Sequence, residues 1–183
     1  MGREDKINMD AFKVVTKAIA ESDNLEIMAN HLSQLLVAVL EIKGCTIFIL
    51  NTDTAELEVL ASFGLSVHYM SKGPIRADKS IGCSLKGEIA IISDVTKDDR
   101  LQYPEAAAEE GIGGIVSVPL IFMGDVIGVL RLYSGEKWDI SEKDTDTLFV
   151  LSEIIGLALR YTSLLNAAQA CSDILNKLPV KLD

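Results

Sequence analysis

Arg131 interrupts an apolar run, Val126-Ile-Gly-Val-Leu-Arg-Leu-Tyr133. A guanidinium removed from water costs several kcal/mol unless something compensates it. Arg131 therefore either lines a cavity, facing an anionic ligand or a carboxylate, or ends a strand with its head in water. Ser117 is the lone small polar residue in the preceding apolar run, and strand alternation puts Tyr133 on the face of Arg131. Apolar pockets orient ligands with a few such polar groups, so Arg131, Ser117 and Tyr133 are candidate ligand-binding residues. Cys83, in Ile81-Gly-Cys-Ser84, is a fourth candidate, with a small buried residue as its other reading.

Other chemistries find less support. Cys45, Cys83 and Cys171 are far apart and odd in number, which suits reduced cytosolic thiols better than a disulfide framework or zinc site. His31 and His68 make no metal set at the usual spacings, so no metal is expected. The acidic pairs Asp98-Asp99 and Glu109-Glu110 read as solvated loop. P-loop, nucleophile-elbow and dinucleotide motifs are missing, so no catalytic residues and no cofactor are expected.

The elements that must position these groups follow from pattern. The chain has 183 residues, 49% of them hydrophobic, and suggests one domain with a packed core. A net charge of −10 argues against direct nucleic-acid or anionic-membrane binding. A charged start without an apolar stretch reads as cytoplasmic, and no uninterrupted span-length apolar segment is seen. Helices are expected over about Asn8–Glu21 and from Asp23, capped with Glu26, to about Ile42, where Gly44 ends the second. Strands are expected at Cys45–Leu50, Leu57–Phe63 and Glu88–Ser93, with an irregular crossover over Gly64–Lys79. Short helical pieces are expected near Ile81–Lys86 and Glu105–Glu110. Two apolar strands joined at Met123-Gly124-Asp125 form a hairpin covered on both faces. Gly128 should let a helix approach, and Pro119 needs a bulge or free edge.

The last helix runs from a Ser141–Asp144 cap to about Leu178, before Pro179. Val150, Ile154, Leu157, Tyr161, Leu164, Ala168, Cys171, Leu175 and Leu178 recur in alternating steps of four and three. That is a coiled-coil register, and Ile154 and Leu157 at positions a and d suit a parallel homodimer. A second stripe, Leu148, Leu151, Ile155 and Leu159, can dock on the sheet. The alternative is a helix packed wholly within its own chain.

This ordered set resembles the GAF family of sensor domains, relatives of PAS domains. The resemblance is carried by Ser22-Asp-Asn-Leu25, Ser62-Phe-Gly-Leu65, Ser80-Ile-Gly82 and Ile89-Ala-Ile-Ile-Ser-Asp-Val95. Most specific are Gly111-Ile-Gly-Gly-Ile-Val-Ser-Val-Pro-Leu120 and Gly124-Asp-Val-Ile-Gly-Val-Leu-Arg-Leu-Tyr-Ser134. It covers about Asp10 to Tyr161 within a single domain over residues 1–183. It implies an α/β (α+β) fold: a six-stranded antiparallel sheet, helices on one face, a small-molecule pocket on the other and a long C-terminal helix. It also implies a bacterial signal-transduction module serving an output domain such as a kinase or transcriptional regulator. Three family branches fit poorly. Cys83 is followed by Ser84 and not histidine, against bilin attachment. The Asn-Lys…Phe…Asp-Glu run of cyclic-nucleotide binders is missing. Free methionine-R-sulfoxide reductases place a partner cysteine before the Ile115 strand, where Glu109-Glu-Gly-Ile-Gly113 stands. That enzyme, and a dimerisation module without ligand, remain the alternatives.

Overall fold

A computed structural model describes residues 7, 9–54, 56–73, 75 and 81–177. The helices are α1 (Met9–Ala20), α2 (Leu25–Leu40), α3 (Val67–Met70), α4 (Pro104–Glu109) and α5 (Glu142–Lys177). The strands are β1 (Gly44–Asn51), β2 (Glu56–Phe63), β3 (Ala90–Ile92), β4 (Gly114–Phe122) and β5 (Asp125–Ser134). A 3-10 turn spans Ser84–Lys86. The five strands pair antiparallel in the order β2-β1-β5-β4-β3. The mixed α/β architecture is the one expected. The sixth strand is not among the described residues, and crossover residues 76–80 lie outside them.

Strand alternation sorts the sheet into two faces. Cys45, Ile47, Val116, Val118, Leu130 and Leu132 join one apolar core with α1, α2 and α5. Each fully buried leucine there contributes about 1.5–3 kcal/mol relative to exposure. Ile115, Val129 and Tyr133 point the other way, beneath α3, α4 and the loops. Both hairpin strands are thus covered on both faces, as their apolar character implies.

The caps differ in detail from expectation. Asn24, not Asp23, caps α2, its side chain accepting from the Ile27 amide at 3.0 Å. Glu41 closes that helix in a left-handed conformation (φ 52°), and Gly44 instead opens β1. The α5 cap is as expected: the Asp144 amide donates to Ser141 Oγ at 3.0 Å. The buried Asp144 carboxylate accepts from the Ile7 amide at 3.0 Å, tying the chain before α1 to α5.

Two glycines exchange roles. A Cβ on Gly128 would lie 2.1 Å from the Phe48 carbonyl oxygen, so the close neighbour there is strand β1 and not a helix. Helix and sheet meet closely at Gly156, where a Cβ would lie 2.6 Å from the Ile121 carbonyl oxygen. Pro119 lies two residues past Ser117, the last β4 partner of β3, so that ladder loses nothing to it.

Helix α5 spans about 54 Å at 1.5 Å per residue. Leu148, Leu151, Ile155 and Leu159 are buried, so the second stripe docks on the domain. By length and composition α5 could cross a bilayer, and 44% of its most apolar 18-residue window is buried in this fold.

Candidate functional site

The sheet's loop-covered face carries one polar row. Ser62, Thr46, Arg131 and Ser117 lie directly opposite one another across β2, β1, β5 and β4. The row runs between two apolar ones, Tyr133 with Ile115 on one side and Phe48 with Val129 on the other. Thr46 and Ser62 share a hydroxyl hydrogen bond of 3.0 Å. Thr46 and Ser117 are buried, and Arg131 is only 3% exposed. That excludes the strand-end reading, in which its head reaches water. The alternation argument holds: Arg131, Ser117 and Tyr133 share the face opposite the main helices.

The roof comes from segments without periodicity. Ser66 caps α3, its Oγ accepting from the Tyr69 amide at 3.1 Å. The Glu110 carboxylate accepts from the Ser66 amide at 2.9 Å and from its hydroxyl, so an expected solvated acid instead anchors α3. These contacts seat Tyr69 edge-on to Tyr133, ring centroids 5.8 Å apart. The Arg131 Cζ lies 5.8 Å from the Tyr133 ring centre, within cation–π range.

Lys72 follows α3. Its Nζ donates to the Tyr69 carbonyl oxygen at 2.9 Å and lies 3.6 Å above the Tyr69 ring. Burial first, then the nearby Arg131 charge, lowers its pKa to about 8, and Glu110 opposes the shift. Burial likewise pushes the hydroxyls of Tyr69 and Tyr133 above the ordinary tyrosine range, against the pull of Arg131.

Two cavities occupy this face. A small chamber of about 10 Å³ lies among Tyr69, Lys72, Leu101, Gln102, Tyr103 and Arg131. That is room for about one water. A more open cavity of about 250 Å³ is lined by Phe48, Leu57, Val59, Met70, Lys72 and Ile75, among others. No carboxylate lines either among the described residues. The arrangement can hold an anion between a planar guanidinium fork and an ammonium. A larger groove of about 440 Å³ lies elsewhere, where β1 and β5 part company beside α5. It brings Asp125 and Arg160 together, so it has no single charge preference.

Cys83 is half-buried beside the 3-10 turn and lines neither loop-face cavity, so the structure separates it from Arg131. Its neighbour Ser84 pins the turn, donating to the Ser117 carbonyl oxygen at 3.0 Å. Cys45 points into the helix-side core, where burial raises its thiol pKa strongly. His68 is exposed near Glu109, and no metal-ligating cluster occurs among the described residues. Of the seam residues, Val150, Leu157, Tyr161, Leu164 and Leu175 are 48–67% exposed. Ala168 and Cys171 are exposed, Ile154 is partly buried, and Leu178 lies outside the described residues.

The family profile described as GAF domain matches residues 22–160. The chain belongs to the GAF domain family. Solved structures share the GAF fold. The GAF domain of a phosphoenolpyruvate-protein phosphotransferase from Coxiella burnetii aligns with TM-score 0.74 at 19% identity, covering 87% of this chain and 98% of that one. A free methionine-R-sulfoxide reductase from Neisseria meningitidis, in complex with its substrate, gives 0.71 at 16% identity over 89% and 98%. A domain from a protein designated a two-component sensor histidine kinase in Sinorhizobium meliloti 1021 gives 0.68 at 16% identity over 81% and 99%. A search of curated proteins finds no match to the sequence. At these identities the likeness to solved structures establishes the GAF fold and no activity.

Lys72, Tyr69, Gln102 and Tyr103 are the site residues that sequence reasoning missed. Each lies in or beside a segment too short or irregular for a periodic signal. The one available hint was a lysine in the crossover of a family whose pocket lies under the crossover.

Proposed function

We propose that this GAF protein is a cytoplasmic regulatory module that senses a small anionic molecule on the loop-covered face of its sheet. In this reading it pairs with a second copy along α5 and passes the signal to an output domain such as a kinase or transcriptional regulator. The observation that carries the proposal is the buried Arg131 at the centre of the polar row, with Lys72 above it. Arg131 and Lys72 hold the anion, while Ser117 and Tyr133 line neither cavity and flank Arg131 on the same face of the sheet. The exposed heptad stripe supports the homodimer.

The test is mass spectrometry of small molecules released from freshly purified protein, joined to a thermal-shift screen of anions. A bound anion, or a hit whose effect needs Arg131, is the expected result. An empty spectrum with a flat screen would overturn it in favour of a dimerisation module. That second reading draws on the small size of the chamber, about 10 Å³, in which the surrounding side chains leave room for about one water. The reductase reading has weaker support, because disulfide turnover needs a resolving thiol. Cys45 faces the opposite side of the sheet from the Arg131 chamber, and Cys171 is exposed on α5. Consumption of free methionine sulfoxide under reducing conditions would restore that reading.

A further inference from the structure

Strand β5 leaves β1 before either strand ends. Their last paired residues are Ile49 and Gly128. The cause is a bulge. Leu120 pairs with Gly128 and Ile121 with Val126, so Ile127 is an extra residue that bends β5 away from β1. Beyond the split, β1 stays paired with β2 as far as Asn51, and β5 with β4 as far as Asp125. Main-chain N–H and C=O groups on the two inner edges have no ladder partner across the gap. The groove of about 440 Å³ opens here, within the roughly 300–1,000 Å³ of small-molecule sites. Its walls include Ile49, Leu50, Val126 and Ile127 of the strands, Leu85 of the 3-10 turn and Leu159 of α5. Asp125 and Arg160 line it at exposed positions. Among the described residues, neither is engaged in an ion pair or a side-chain hydrogen bond.

We infer that this groove is a second small-molecule site, and that it takes a free α-amino acid with an apolar side chain. Charge sets the head group. The groove offers one carboxylate and one guanidinium, so a ligand with both an ammonium and a carboxylate is matched twice. A simple anion also meets Asp125, and a simple amine also meets Arg160, so each is matched once and opposed once. The free inner-edge main-chain groups supply further donors and acceptors for the same two ends. The walls set the side chain, because hydrocarbon seated between Leu50, Leu85, Ile127 and Leu159 leaves water. Among the described residues, the groove shares no lining residue with either cavity at Lys72, so the inference does not depend on the anion-sensing site. Arg160 directly precedes Tyr161 of the outer stripe, which puts the ligand against α5 beside the seam of the proposed homodimer.

The experiment is calorimetric titration of the intact protein with alanine, norvaline and norleucine. Hexanoate and pentylamine serve as controls, since each keeps the chain of norleucine and only one of its charges. Affinity should tighten by about fourfold per methylene from alanine to norleucine, the worth of one buried CH2. Hexanoate and pentylamine should each bind about tenfold more weakly than norleucine, the loss of one hydrogen bond to a charged group. Asp125→Asn and Arg160→Gln should each weaken norleucine by about fivefold, less than a buried contact because both positions meet water. Ser163→Trp, which fills the groove from α5, should abolish binding while circular dichroism shows an intact fold. Norleucine binding that survives Ser163→Trp, or that neither charge variant weakens, overturns the inference by placing the ligand elsewhere. Hexanoate or pentylamine binding as tightly as norleucine overturns the zwitterion, and equal affinity for alanine and norleucine overturns the apolar walls. No binding of any amino acid overturns the site outright and leaves the anion-sensing proposal standing, because that proposal is read from anion-dependent thermal shifts that need Arg131.

Discussion

Arg131 illustrates how a charge is kept inside a sheet. Its neighbours across the strands are Thr46 and Ser117, small polar residues that leave room for a long side chain without facing it with hydrocarbon. Tyr133, two positions along, offers its ring to the guanidinium. Arg131→Met keeps the length and removes the charge. Replacing a buried ion with a well-packed apolar group is often neutral or stabilising. The expected outcome is a folded protein, by circular dichroism, that anions no longer stabilise in thermal unfolding. Unchanged anion stabilisation would remove Arg131 from the site. Lys72 adds a proton linkage. Its ammonium faces Arg131, Glu110, Tyr69 and Tyr103. Its folded pKa, lowered to about 8 from the usual 10.5, lies below that of the unfolded chain. The unfolded chain therefore binds more protons between these values, and this group's contribution to stability rises with pH across that window. A bound anion pulls the pKa back up, so binding near pH 8 takes up about half a proton and weakens at higher pH. Binding enthalpies in buffers of different ionisation enthalpy check this, and a buffer-independent enthalpy contradicts it.

The hairpin and the last helix were readable in the sequence because their patterns are long: nine and ten residues of near-continuous apolar strand, and thirty-six residues of helix with two stripes. The roof was not, because α3 has four residues and the segments holding Lys72 and Tyr103 have no period to read. Arg131, Ser117 and Tyr133 could be placed on one face by alternation alone, whereas the residues above them needed the fold. Gly128 was misread because sequence shows that a side chain is missing but not which neighbour required it. Two substitutions test the elements themselves. Met123 and Gly124 form the hairpin turn with φ of 53° and 89°, a conformation that methionine adopts at a cost. Met123→Asn should stabilise by about 0.5–1 kcal/mol, raising Tm by roughly 1–4 °C. Gly156→Ala has two opposed effects. Helix propensity favours alanine by about 1 kcal/mol. Contact with the Ile121 carbonyl oxygen at 2.6 Å forces α5 off β4, and such overpacking costs about 1–3 kcal/mol. Backbone cannot yield as a flexible side chain can, so the net expectation is a lower Tm in thermal unfolding.

For the whole molecule, the question is what covers the outer stripe of α5. The helix buries one stripe in its own domain and leaves Leu157, Tyr161 and Leu164 more than half exposed. A stripe in heptad register is matched best by the same stripe on a second copy. In a parallel pair Cys171 takes a d position, so the two copies face each other across the two-fold axis. A disulfide forms where Cα atoms lie about 4.4–6.8 Å apart, which facing d positions approach. Cys171 is exposed in the single chain, whereas Cys45 is fully buried and Cys83 half-buried beside the 3-10 turn. Mild oxidation should therefore yield one covalent dimer, linked through Cys171 and lost in Cys171→Ser. Leu157→Glu puts like charges opposite each other in the same seam, so sedimentation should show a weaker dimer. Tyr161, Ala168 and Cys171 are poor seam residues, so the wild-type dimer should itself be weaker than an ideal coiled coil. An antiparallel pairing would set Cys171 against a different position and give no Cys171 disulfide while leaving the dimer intact. A protein that stays monomeric at micromolar concentration and resists cross-linking would assign the stripe to a different partner.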